Sequence, residues 1–87
     1  MRVLHLTRRF HASQRHHAPR GTPEYRAVAR VIRELVRAEQ LPEAQDVEVN
    51  IPPTLWCTGR PIPSAGLVVC YEVRRDGSLM IHGVQLA

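Results

Sequence analysis

The chain has 87 residues, 12 basic and 8 acidic side chains, and a formal charge of +4 at neutral pH. That length makes one domain, 1–87, with a modest core, and a 44 % hydrophobic content excludes wholesale disorder. Every cation is an arginine; a GC-rich coding genome produces that bias unselected, yet guanidinium also binds phosphate and carboxylate in planar, bidentate fashion.

Residues 2–7, "RVLHLT", are aliphatic or β-branched at most positions and predict a short strand. Residues 8–21, "RRFHASQRHHAPRG", hold four arginines and three histidines without an acid. They show no hydrophobic period and end in Pro19-Arg20-Gly21, so a basic loop or extended arm is expected.

"TPEYRAVARVIRELVRAEQLP" is the strongest local signal. Thr22 suits an N-cap, Pro23 the first helical position and Glu24 the positive end of the helix dipole. Tyr25, Val28, Ile32, Leu35 and Val36 recur at three- and four-residue steps, while Arg26, Arg30, Arg33 and Arg37 recur on nearly the opposite face. A helix over about 23–40 follows, closed before Pro42.

"DVEVNI" alternates as a half-buried strand over 46–51. Residues 52–66 carry four prolines and predict a stiff loop unfit for a central strand. "LVVCYEV" and "LMIHGVQL" form a hairpin around Asp76-Gly77. A two-residue turn sets Tyr71 opposite His82, a longer one opposite Met80, and both registers stay open. The expected fold is α+β, with a single amphipathic helix on a mainly antiparallel sheet of about four strands in the order β-α-β-β-β.

Three features bear on function. The acid-free stretch with Arg8, Arg9, Arg15 and Arg20 is the strongest charge asymmetry in the chain, and Phe10 within it either stacks on a base or anchors the arm to the core. The helix row Arg26, Arg30, Arg33 and Arg37 spans about a sixth of the circumference and either tracks a phosphate backbone or forms a solvated face, partly neutralised by Glu34. Trp56 and Arg60, on the proline-stiffened loop, either anchor a protein partner or, for Trp56, supply the largest residue of an aromatic-poor core.

Chemistry beyond binding has little footing. His11, His16 and His17 with Cys57 lack the paired ligand spacing of a structural metal site, and no cofactor fingerprint occurs. His5 and His82 fall in strands. The acids lie on the helix surface and the connector, giving no paired carboxylates, so no catalytic constellation stands out. Cys57 and Cys70 lack C-x-x-C spacing and read as reduced thiols of a cytoplasmic, intracellular protein. No apolar run approaches membrane-spanning length and no secretory signal is evident; Arg, His and Ser without acids also suit an organellar presequence.

The stretch "GLVVCYEVRRDGSLMIHGV", residues 66–84, is similar to the C-terminal hairpin of RelE/ParE-type toxins, small basic α+β proteins with two helices before the sheet. The resemblance implies ribonuclease activity and nominates Arg60, Tyr71, Arg74, Arg75 and His82. Taken together, the residues favour a small non-enzymatic module that engages RNA, DNA or a nucleoprotein complex. A protein-binding inhibitor or assembly subunit using Trp56 and Arg60, and a toxin-like ribonuclease, are the alternatives.

Overall fold

The computed structural model of the protein describes residues 1–87. In chain order the elements are β1 (Leu4–Leu6), α1 (Arg8–His17), α2 (Pro23–Arg37), β2 (Val47–Ile51), β3 (Leu55–Ile62), β4 (Leu67–Val73) and β5 (Leu79–Leu86), with one 3₁₀ turn at Pro63–Ala65. The five strands form one mixed sheet in the order β1-β5-β4-β3-β2; only the β1–β5 pair is parallel. The α+β class is as expected, with one helix and one strand more than the residue pattern predicted.

α2 forms for the reasons its sequence announces. Thr22 Oγ1 accepts from Tyr25 N at 3.1 Å, and Pro23 and Glu24 occupy the first turn. Val28, Val31, Ile32 and Leu35 are buried against Leu67, Val69, Tyr71, Leu79 and Ile81 of the sheet. Burying one such aliphatic side chain contributes about 1.5–3 kcal/mol. The helix stops at Arg37 rather than 40, because Val36 O accepts from Arg2 N at 3.1 Å and Arg2 Nη2 donates to Glu39 O at 3.3 Å. The segment before β1 thus captures the Val36 carbonyl that a longer helix would have used.

Residues 8–17, expected as a loop or arm, are the helix α1. Thr7 Oγ1 caps it by accepting from Phe10 N at 3.0 Å and also donates to Ile81 O at 3.1 Å. Ser13 Oγ accepts from Val84 N at 3.0 Å. α1 therefore lies beside the part of β5 that three-residue β1 leaves bare, and satisfies an edge amide. Gly83 permits the approach, since a Cβ there would sit 3.3 Å from Ser13 Oγ. Phe10 is the only large apolar residue of α1, so no helical period could be seen.

Residues 55–62, expected within a proline-rich loop, are an interior strand. Val49, Ile51, Val68 and Cys70 form a second, smaller apolar cluster, on which Leu55 and Cys57 pack. Gly59 belongs there because a Cβ would lie 2.6 Å from Val68 Cγ1 and closer still to Val49 Cγ2. Pro61 is tolerated because β2 pairing ends at Gly59, so that segment of β3 is paired on one side only. The β4–β5 register matches neither expectation: Tyr71 pairs with Ile81. A three-residue turn, closed by Gly77 N to Arg74 O at 2.9 Å with Gly77 at φ +87°, sets that register. A bulge then shifts it, so that Cys70 pairs with Gly83.

Candidate functional site

Helical geometry decides where the arginines go. At about 100° per residue, Arg26, Arg30, Arg33 and Arg37 fall within an arc of about 60° centred opposite the buried stripe. All four are exposed, as are Arg8, Arg9, Arg15 and Arg20. Arg8 and Arg15 lie two turns apart on one side of α1, and Arg9 lies on another. None of these eight guanidinium groups forms an ion pair; the salt bridges of the protein belong to Arg60 and His82. Glu34, between Arg30 and Arg37, leaves both unpaired. Arg2, by contrast, holds Gly77 O at 3.1 Å and Glu39 O, and its role is structural.

Two residues expected at a partner surface lie inside. Phe10 is 5 % exposed and belongs to the main core. Arg60 is 4 % exposed on β3. It donates to Glu43 at 2.5 Å and through Nε to Asp46, whose other oxygen accepts from the Tyr71 hydroxyl. Glu43 N also donates to Asp46 Oδ2 at 2.9 Å. Burial by itself would raise the Asp46 carboxyl; the hydrogen bonds from Arg60, Tyr71 and the Glu43 amide outweigh it and hold the group below its ordinary value. Burial, together with the Asp46 hydrogen bond, pushes the Tyr71 phenol up. Glu43 and Asp46, both in the connector after α2, are thus counter-ions to a buried cation, Asp46 from inside and Glu43 from the surface.

Trp56 stands on the surface at 64 % exposure rather than in the core. It borders a shallow groove with Leu41, Pro42, Thr58 and Val73. The residues nominated through the toxin resemblance do not assemble into a solvent-facing group. Arg60 and Tyr71 are committed to Asp46, and His82 Nε2 pairs with Glu72 at 2.8 Å. Arg74 and Arg75 flank the hairpin turn in solvent. His16 and His17 contact each other edge-on, centroids 4.6 Å apart, and no group of three or more His, Cys, Asp or Glu converges. Burial pushes the Cys57 thiol up and the Cys70 thiol up to about 12, which suppresses thiolate reactivity.

The Asp46–Arg60–Tyr71 node and the cleft between α1 and α2 were not legible as groups. Their members are separated in sequence, so no local pattern announces them. No helix is long and apolar enough to cross a membrane. Comparison with protein-family models, curated proteins and solved structures yields no match to this chain.

Proposed function

We propose that this protein is a nucleic-acid-binding module that grips phosphates with the outward arginines of α1 and α2. The observation that carries the reading is that eight exposed guanidinium groups, seven on two successive helices and Arg20 in the turn between them, have no acidic partner. A row of unpaired like charges contributes nothing to folding and repels itself. Arg8 and Arg9 also occupy the first turn of α1, where the helix dipole favours acids and the helix has none. Phosphate oxygens relieve both costs at once, and the fork of each guanidinium matches them bidentately.

Binding of this kind is driven by release of condensed counter-ions, so it weakens steeply with salt. Six or more phosphate contacts lose about a thousandfold in affinity between about 50 and 200 mM salt. The test is fluorescence polarisation of labelled RNA and DNA across a salt series. It compares the intact chain with two variants, Arg8, Arg9, Arg15 and Arg20 to Gln, and Arg26, Arg30, Arg33 and Arg37 to Gln. Glutamine keeps the helix propensity while removing the charge. Each variant should flatten the salt slope; an intact chain that binds neither nucleic acid at low salt overturns the reading.

A protein partner is the second reading, favoured by one observation: Trp56 is 64 % exposed on a strand next to the free edge strand β2. Trp56 alone would carry it, because Arg60 is occupied internally.

A further inference from the structure

α1 and α2 meet over a cleft of about 280 Å³. Its walls are Leu6, Phe10, Tyr25 and Ala29, and its rim is His11 and Arg20. A second concavity adjoins it, sharing His11, Gln14 and Arg20 and adding Arg15. Neither is lined by an acid. Leu6 is left 41 % exposed there.

From this arrangement we infer that the cleft receives one unpaired base of a single-stranded nucleic acid, with the adjoining phosphate held by Arg15 and Arg20. The inference rests on the nucleic-acid reading above and narrows it to a strand whose bases are free. The volume lies just below the usual range for ligand pockets, about 300–1,000 Å³, so it suits one flat ring system and not a larger ligand. Apolar walls that include the Tyr25 ring match the face of a base, while the cationic rim matches the phosphate beside it. At the junction of the two concavities, Gln14 is only 8 % exposed and its Nε2 is committed to Ala18 O at 2.6 Å. The acceptor it retains, Oε1, suits the amino edge of a base.

A base in a duplex is stacked and paired and cannot enter, so the cleft discriminates single strand from duplex, which the arginines alone do not. The same chemistry, a base beside a phosphate, is also offered by a free mononucleotide. In a strand, the arginines of both helices add further phosphates that a mononucleotide lacks.

The experiment measures affinity for a short labelled single-stranded oligonucleotide, for its duplex and for adenosine monophosphate, at one salt concentration. The intact chain should prefer the single strand by about tenfold or more, the worth of one stacked base. Filling the cleft with Ala29→Leu should bring single-strand affinity down to that of the duplex, and Tyr25→Leu should lower it in the same direction. Methyl resonances of Val28 and Ile32, which also line the cleft, should shift on adding the single strand to the unaltered chain and stay put with the duplex. That measurement needs no variant to fold. Equal affinity for single strand and duplex, with a steep salt slope retained, overturns base entry and leaves the phosphate reading standing. Binding of adenosine monophosphate without either strand overturns both, as does no binding at all.

Discussion

Arg60 stands in the third strand at 4 % exposure, where a lone guanidinium would forfeit its hydration, and the connector after α2 supplies Asp46 and Glu43 to answer it. The Asp46 side chain is fully buried. Removing one partner of such a pair leaves the other charge stranded, which costs about 3–5 kcal/mol. Asp46→Ala should therefore lower the urea midpoint by that order, with Tyr71 losing its hydroxyl partner as well. The double change Asp46→Leu with Arg60→Met should lose less than either single change, since no buried charge is then left unpaired and Glu43, with its side chain 44 % exposed, keeps its hydration. The same carboxyl sets a pH dependence. Its value in the folded protein lies below the ordinary one of about 3.9 for an unfolded Asp, so the unfolded chain binds the proton first as pH falls. Its stabilising contribution is whole above about pH 4 and drains away as pH drops through the depressed value. Unfolding midpoints measured from pH 6 down to pH 2 should fall more steeply for the intact chain than for Asp46→Asn.

α1 has little intrinsic claim to be a helix. It offers one large apolar side chain, two arginines against the dipole in its first turn, and ten residues, fewer than an isolated helix needs in water. Docking on β5 sustains it, through Phe10 in the core, Thr7 spanning the cap and Ile81 O, and Ser13 on the Val84 amide. Thr7→Ala should cost about 1 kcal/mol, within the 0.5–2 range for a lost N-cap, and its effect should appear as faster amide exchange across α1. Ser13→Ala should expose the Val84 amide to exchange while α2 stays protected. Uniform loss of protection across both helices would mean that α1 does not open as a separate unit. α2, with its own cap and a continuous apolar stripe, needs less help.

Across the whole molecule the charges are sorted by what surrounds them. The cations of the helices face solvent without partners, whereas Asp46 of the connector turns inward to Arg60 and Glu43 pairs with it from the surface. That sorting leaves the helical side of the protein more positive than a formal +4 spread evenly would make it. The exposed indole is carried by β3 rather than by a helix. Trp56→Ala should leave stability within about 0.5 kcal/mol, as for other surface changes, and should leave nucleic-acid affinity unaltered. In the intact chain Trp56 emission should be that of a solvated indole, readily quenched by iodide. A protected, blue-shifted emission would indicate a covered Trp56, as in a self-associated state.

Local order in this protein was readable wherever consecutive residues carry the signal. Thr22 through Arg37 specify α2 by cap, period and dipole, and the same period sends the four helix arginines outward, because residues on one face of a helix are fixed by spacing alone. The strands of the β4–β5 hairpin were legible as short apolar runs on either side of Asp76-Gly77. What the tertiary structure decided depends on partners far along the chain. Gly59 and Pro61 read as strand breakers until Val49 and Val68 crowd one and the end of β2 frees the other. Phe10 stood open between a free aromatic and a core anchor until β5 gave α1 an edge to cover. Arg60 looked like an interface anchor until Asp46 and Glu43 were folded over it. A single residue's chemistry states what it requires, but whether solvent, a ligand or another segment supplies it is settled only when the chain closes on itself, since burial and pairing are properties of neighbours in space.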